Sequence, residues 1–253
     1  RAPPQLPVIE KPIEPDAKPS WNYYDETSYG PKWWYKNYPK CGKLEQSPVA
    51  FAYSDIEIES STPEFVFDGW DEEISGLNIY NNGHSIQVDF PPGKQPSVSG
   101  GGLDGTYNLL QFHFHWGADN DKGSEHVFEE LQYPLELHLV TLKKGLTPDD
   151  IPDNRDALAV LGVVFSLHVD EGKGELLDNL LGSSLADVQR YSWKSRLNDL
   201  KPADLLPANL NSFFRYNGSL TTPPCHESVI WTVFTDPIGV SQAQLDLFRT
   251  VRV

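Results

Sequence analysis

The stretch "NLLQFHFHW", residues 108–116, constrains the fold of this chain more than any other stretch. In a β-strand, successive side chains point to opposite faces of the sheet, so Phe112, Phe114 and Trp116 project to one side. His113 and His115 project to the other side. This pattern predicts a strand that packs one face on a core and offers half of a metal site on the other.

Similar runs recur between clusters of Gly, Pro, Asn and Asp. They are "PEFVFD" (63–68), "HSIQVDF" (84–90), "LELHLVTL" (135–142), "ALAVLGVVFSL" (157–167) and "SVIWTVF" (228–234). Apolar residues recur at helical spacing, three and four positions apart, in residues 174–189 and 241–251. We therefore predict a sheet-dominated protein with few helices and a buried strand at 157–167.

The composition limits the possible partners. The 253 residues carry 20 Lys and Arg against 36 Asp and Glu, and this net charge of −16 argues against binding to nucleic acid. The longest apolar run, 157–167, is too short to span a bilayer, so no transmembrane segment is predicted. The acidic residues are spread in short groups, which favours an ordinary solvated surface; the alternative is loose association with calcium or a mineral outside a cell.

The N-terminal stretch differs from the rest of the chain. Residues 1–19 contain six prolines and no alternating pattern, so we predict an extended tail or linker there. Residues 20–253 are expected to form one folded domain, because 39% of the chain is hydrophobic and can bury a large core. The absence of methionine, even at position 1, predicts a processed chain whose targeting peptide has been removed.

The two cysteines, Cys41 and Cys225, lie far apart and belong to no CxxC pair. A single disulfide between them is the preferred interpretation, and it would place the protein in an oxidising compartment. Two buried free thiols are the alternative.

A third histidine, His138, lies in the run 135–142, which suits a neighbouring antiparallel strand. Three histidines on two paired strands suit a catalytic zinc site, which keeps its fourth position open. Each imidazole also needs an acceptor for its other N–H. Gln111 shares a face with His113, and Glu136 shares a face with His138, so these are the expected acceptors. The alternative is that each histidine is a core residue without a metal.

Two further motifs make the pattern specific: "GSEH" (123–126) and "GSLTTPP" (218–224). Together with "SWNYYDETSYGPKWW", "QSPV", "NNGH", "QFHFHWG", "ELHLV", "AVLG" and "FRTV", they resemble the α-class carbonic anhydrases over essentially the whole domain. The resemblance implies a mostly β (α+β) single domain, built on a large central, twisted, mainly antiparallel sheet with a few short peripheral helices. It also implies a zinc lyase that hydrates CO₂ reversibly to bicarbonate and a proton.

The resemblance assigns catalytic roles. The three histidines named above would bind Zn²⁺, and zinc-bound hydroxide would attack CO₂. Thr221 would accept a hydrogen bond from that hydroxide and donate one to Glu125, while Thr222 would help position bicarbonate. His84 would relay protons out of the site, because an imidazole titrates near neutrality.

Further roles follow from matching positions. The walls of the CO₂ pocket would be Val140, Val160, Leu220, Val229 and Trp231. Support around Glu136 would come from His126 and Tyr216. The polar wall that orders water would be Tyr23, Asn82 and Gln87, where family members commonly carry Asn in place of Gln87.

The remaining implications concern location and covalent structure. Cys41 and Cys225 match the disulfide of secreted relatives, so the resemblance implies a secreted, extracellular protein. Asn217 begins a glycosylation sequon that we expect to be poorly accessible and unmodified, because it adjoins the catalytic motif. Family members usually continue past the position of Val253 with a segment whose backbone carbonyl orients the histidine that matches His115. We therefore expect either that the sequence is a fragment or that something else completes the sheet.

Two other functions stay open. One is a carbonic-anhydrase-like binding domain without catalysis; such domains typically lack a zinc histidine, whereas this chain keeps all three. The other is an acidic extracellular matrix or mineral-associated protein. Zinc stoichiometry tests the first, and calcium or carbonate-mineral binding with and without residues 1–19 tests the second.

Overall fold

A computed structural model describes residues 21–93, 95–167, 177, 181 and 184–253. The predicted tail at residues 1–19 lies outside these ranges. The strands, in chain order, are β1 (Ala50–Phe51), β2 (Phe65–Asp68), β3 (Asn78–Asn81), β4 (Ile86–Asp89), β5 (Ser97–Gly100), β6 (Tyr107–Trp116), β7 (Val127–Phe128), β8 (Leu135–Lys143), β9 (Leu158–Leu167), β10 (Lys194–Arg196), β11 (Phe213–Gly218), β12 (Val229–Phe234) and β13 (Ile238–Val240).

The helices are short. The α-helices are α1 (Trp34–Asn37), α2 (Ser184–Asp187) and α3 (Gln242–Thr250), and the 3₁₀-helices are Pro31–Trp33, Pro39–Gly42, Tyr53–Asp55, Pro148–Asp153 and Pro202–Leu205. The predicted helix at 241–251 corresponds to α3. The predicted helix at 174–189 includes α2, and part of it lies outside the described residues. None of the helices in the described ranges is long and apolar enough to cross a membrane.

Within the described residues, eleven strands form one sheet. Its main path runs β10-β3-β4-β6-β8-β9-β12-β11; β5 also pairs with β6, β2 with β5, and β13 with β9. Strand pairs in this sheet are antiparallel except those of β9 with β12 and with β13. The six predicted runs fall on β2, β4, β6, β8, β9 and β12, so the predicted, mainly antiparallel fold is confirmed.

Alternation along the central strands gives the sheet two different faces. On β6 and β8, the side chains of Phe112, Phe114 and Leu137 are buried in the larger apolar cluster. Helix α3 packs on this face, where the ring of Phe248 lies 5.0 Å from that of Phe114. The opposite face carries the histidines and a second, smaller apolar cluster, so the candidate site is held on a rigid, doubly covered sheet.

Two sequence expectations can be settled by the fold. Cys41 and Cys225 form a disulfide with their Cα atoms 4.9 Å apart, which confirms the predicted bridge. It ties the segment after α1 to the turn that follows the "SLTTPP" motif. The expectation that Asn217 is poorly accessible is wrong: the residue is exposed, because β11 is the edge strand of the main path. The state of its sequon stays a prediction.

Candidate active site

Three histidines meet on the face opposite the larger apolar cluster. Strand β6 pairs with β8 so that His113 lies directly opposite His138, and His115 follows two residues later on the same face as His113. Ring nitrogens of the three side chains lie within 4.8 Å of one another. Strand alternation and register therefore bring together three imidazoles, the donor set of a histidine metal site.

Hydrogen bonds select the inward-facing nitrogen of two of these rings. Nδ1 of His113 lies 2.9 Å from Oε1 of Gln111, which leaves Nε2 of His113 available. Nε2 of His138 lies 2.7 Å from Oε1 of Glu136, which leaves Nδ1 of His138 available. The amide and the carboxylate thus fix ring orientation and tautomer, as such acceptors do at metal sites.

His115 has a different partner. Its Nδ1 lies 3.3 Å from Oε1 of Glu125, whereas the resemblance implies a backbone carbonyl at this nitrogen. Its Nε2 is buried and makes no hydrogen bond within the described residues. A buried polar atom without a partner is costly, and a metal ion shared with the other two histidines would satisfy it.

The electrostatics of the three rings also suit a metal. Burial lowers the pKa of His113 well below its ordinary value, lowers that of His115 to about 4, and lowers that of His138. A neutral imidazole keeps the lone pair that binds a metal, whereas a protonated one does not. The residues present therefore fit a Zn²⁺ ion with three protein ligands and one open position.

Glu136 is the buried centre of the support around these histidines. Its Oε1 accepts hydrogen bonds from Nδ1 of His126 at 2.6 Å and from Nε2 of His138 at 2.7 Å. Its Oε2 accepts from the backbone N–H groups of Glu125 and His126, at 2.8 and 2.9 Å. Burial alone would raise the pKa of Glu136, but His126 and His138 hold it well below its usual value. The Tyr216 hydroxyl lies 2.7 Å from Nε2 of His126 and extends this network.

A cavity of about 260 Å³ opens onto the three histidines. Its apolar lining is Val140, Val160, Leu220 and Trp231, and its polar lining includes Tyr23, Asn82, Gln87, Gln111, Thr221 and Thr222. Val229 is not part of the lining; it is fully buried, two residues before Trp231 on β12. This mixed lining suits a small uncharged molecule against the apolar side chains and ordered water against the polar ones.

Glu125 lies behind the lining, beside the histidines. Burial raises its pKa, and the nearby His138 and the hydroxyl of Thr221 oppose that rise. Its Oε2 makes no hydrogen bond of standard geometry within the described residues, although Thr221 is near enough to influence its charge.

His84 lines the cavity and stacks on Trp21, with ring centroids 3.6 Å apart and planes at 10°. Burial lowers the pKa of His84. Trp21 and Ser85 also line the cavity, and neither is among the predicted site residues. The motif that includes Trp21, "SWNYYDE", is part of the stated resemblance and was the available signal.

Comparison with known proteins identifies the family. A family model described as eukaryotic-type carbonic anhydrase matches residues 29–253. The chain belongs to this family. Carbonic anhydrase 7 from Homo sapiens is 38% identical over 234 residues, which cover 91% of this chain and 85% of that protein. Carbonic anhydrase 4 from Oryctolagus cuniculus is 36% identical over 219 residues, which cover 85% of this chain and 68% of that protein.

Membership confirms the predicted enzyme class, because carbonic anhydrases are lyases that hydrate CO₂. In this carbonic anhydrase, the family's expected histidines lie together at the cavity, with their hydrogen-bonded acceptors behind them. This cavity is therefore the candidate active site.

Proposed function

We propose that this chain hydrates CO₂ reversibly to bicarbonate and a proton, with Zn²⁺ bound by His113, His115 and His138. The observation that carries the proposal is the convergence of three neutral imidazoles, two of them buried and that of His113 partly buried; the buried Nε2 of His115 has no partner within the described residues. When bound, Zn²⁺ supplies Lewis-acid chemistry that lowers the pKa of a coordinated water to about 7, a value known for this enzyme family.

Thr221 and Glu125 would orient the attacking oxygen. Thr221 lines the cavity, and Glu125 lies behind it with its carboxylate side chain 14% exposed. A threonine hydroxyl that donates to a carboxylate can only accept on its other side, so this pair would fix the direction of the oxygen's proton. Thr222, which also lines the cavity, would help hold bicarbonate.

The apolar wall would hold CO₂, which has no charge for a polar group to bind. Val140, Val160, Leu220 and Trp231 supply this wall. Val229 lies behind it in the same apolar cluster, where it would support the wall rather than contact the substrate.

His84 would relay the proton that each hydration cycle releases. Tyr23, Asn82 and Gln87 line the same cavity as His84 and would order water there. Burial lowers the pKa of His84 below its ordinary value, so the ring gives up a proton to buffer more readily than an exposed imidazole does. The lowered pKa makes transfer of a proton to the ring correspondingly less favourable in free energy.

Removal and return of zinc test the proposed function directly. We expect one Zn²⁺ per purified chain, loss of CO₂ hydration after chelation, and recovery on addition of Zn²⁺. Metal-free protein that still hydrates CO₂ would overturn the mechanism, and a chain that does not hydrate CO₂ with or without bound zinc would favour the other functions considered above.

The role of His84 has a separate test. His84→Ala should lower steady-state hydration in dilute buffer, and added imidazole should restore much of it by acting as a diffusible relay. Isotope exchange between CO₂ and bicarbonate needs no net proton export and should hardly change. Equal turnover in dilute buffer with and without His84 would mean that protons leave by another path.

The disulfide supports location in an oxidising compartment, so we propose that the protein is secreted. We also propose that residues 20–253 form the catalytic domain and that residues 1–19 serve as a linker. Recovery of Cys41 and Cys225 as free thiols from native material would contradict the proposed location. Association of the acidic surface with calcium or a mineral stays a prediction.

A further inference from the structure

One face of the β3–β4 hairpin carries four polar side chains: Tyr80, Asn82, Gln87 and Asp89. In the strand register, Tyr80 lies opposite Gln87, and Gln87 in turn lies opposite His113 on β6. Asn82 and Gln87 line the cavity. This hairpin face is therefore continuous with the face that carries the proposed metal ligands.

A chain of hydrogen bonds joins these side chains. The Tyr80 hydroxyl donates to Oδ2 of Asp89 at 2.8 Å, and Nε2 of Gln87 donates to Oδ1 of Asp89 at 2.7 Å. Nδ2 of Asn82 donates to Oε1 of Gln87 at 2.8 Å. Oδ1 of Asn82 accepts from the backbone N–H groups of His84 and Ser85, both at 2.8 Å.

The direction of this chain is set at the carboxylate. A carboxylate only accepts hydrogen bonds, whereas an amide has a donor end and an acceptor end. Asp89 therefore requires the NH₂ of Gln87, so Oε1 of Gln87 must face Asn82. The NH₂ of Asn82 must then face Gln87, which leaves Oδ1 of Asn82 for the turn that holds His84.

The length of Gln87 matters for this connection. Its amide bridges Asn82 and Asp89 at once, with both bonds at 2.8 Å or less. An Asn at this position is one methylene shorter and could not keep both bonds without a backbone shift. The extended relay is thus a property of this pairing of Gln87 with Asp89.

We infer that Asp89 is a positioning residue for proton transfer: it acts through Gln87 and Asn82 to hold the turn that carries His84. This inference rests on the proposed role of His84 as the proton relay. Asp89 is exposed and does not line the cavity, so it acts on the relay from outside the site. His84 needs such support because its other marked contact is one stacked ring, Trp21, which fixes the plane of the imidazole but not the backbone beneath it.

The structural half of the inference is tested by amide hydrogen exchange in Asp89→Asn and Asp89→Ala. Loss of the carboxylate should speed exchange at the His84 and Ser85 amides by roughly 2- to 10-fold, the effect of one weakened hydrogen bond. The matched control is Asp68→Asn on β2. Like Asp89, Asp68 is an exposed carboxylate on a strand, but it makes no side-chain hydrogen bond or ion pair within the described residues. Unchanged exchange in both Asp89 variants would overturn the inference.

The functional half is tested by the buffer dependence of hydration. Asp89→Ala, which removes the acceptor of the Gln87 NH₂ altogether, should lower kcat in dilute buffer by roughly 2- to 10-fold, while CO₂–bicarbonate exchange and zinc content stay unchanged. Imidazole should restore kcat. A fall in exchange activity or zinc content instead would indicate general damage to the site and contradict a positioning role.

His84→Ala separates this inference from the proposed function. In a His84→Ala background, Asp89→Ala should have no further effect on kcat. If His84→Ala is active in dilute buffer like the parent, the proton route proposed above fails, and the functional half of this inference fails with it. If His84→Ala is impaired but Asp89→Ala is not, the proton route stands and Asp89 has no positioning role.

Discussion

Replacement of Glu136 by Gln should separate metal binding from folding in this protein. Four N–H groups converge on the Glu136 carboxylate: two from imidazoles on Oε1, and two from the backbone on Oε2. Glutamine has nearly the same shape but only one oxygen. The backbone N–H groups of Glu125 and His126 cannot become acceptors, so the amide oxygen should turn toward them and the NH₂ toward the imidazoles.

This orientation has a direct consequence for His138. Its Nε2 now faces a carboxylate oxygen and carries the ring proton, which leaves the Nδ1 lone pair for a metal. Facing an NH₂ group, Nε2 becomes the acceptor and the proton moves to Nδ1. The tautomer favoured by Glu136→Gln is therefore the one that cannot bind a metal through Nδ1.

We expect zinc affinity to fall about 10- to 100-fold, the usual range for loss of a group that orients a metal-binding histidine, in this enzyme family as in others. Competition with a fluorescent zinc chelator measures it, with the exposed Glu130→Gln as the matched control. Zinc affinity equal to that of the parent would refute the tautomer argument. Circular dichroism would show whether the variant is folded.

The same variant has a pH signature. The folded-state pKa of Glu136 lies well below its usual value, so the ionised carboxylate stabilises the fold above the unfolded-state pKa. This contribution is lost as the pH falls through the folded-state pKa. The free energies of unfolding of the metal-free parent and Glu136→Gln should therefore differ at neutral pH and converge in acid; a constant difference would show that the charge of Glu136 does not contribute.

Three further changes test other parts of the structure. His113→Ala should lose both bound zinc and CO₂ hydration, because one of three protein ligands is gone; retained stoichiometric zinc by elemental analysis would contradict the ligand set. Replacement of Cys41 and Cys225 by Ser should lower the free energy of unfolding, measured with denaturant, by up to about 5 kcal/mol, because the bridge closes a very long loop; no loss would contradict that estimate. Trp21→Ala should raise the pKa of His84 toward about 6.5, because the stacked indole buries the ring; an unchanged pKa by NMR would assign the burial to other residues.

The metal site was predictable because it depends on strand periodicity. His113 and His115 share a face through alternation alone, and the connection between the two strands, residues 117–134, suits antiparallel pairing with the strand of His138. Gln111 and Glu136 follow from the same alternation. Each of these contacts lies within one strand or between neighbouring strands, where sequence position fixes direction.

Alternation predicts a face but not a depth. Val229 and Trp231 lie two residues apart on β12 and point the same way, yet Trp231 reaches the cavity and Val229 does not. The larger side chain reaches past its smaller neighbour, and the cavity boundary depends on the loops above the sheet. Strand alternation therefore predicts neither how far a side chain reaches nor where the loops close the cavity.

The proton route was harder to predict for a related reason. The stack of Trp21 on His84 joins segments distant in sequence, and the partner of His115 is a carboxylate from the "GSEH" segment rather than a neighbour on the sheet. The hydrogen-bond chain from Asp89 to the His84 turn depends on the length of one side chain, Gln87.

These two kinds of contact should respond differently to substitution. The ligand geometry is fixed by backbone register, so exposed changes on the β3–β4 hairpin should leave zinc affinity intact. The orientation of His84 depends on side-chain contacts that a single substitution can break. Changes at Asp89 or Gln87 should therefore alter the buffer dependence of turnover without altering metal content, so proton transfer can vary in this scaffold independently of the metal site.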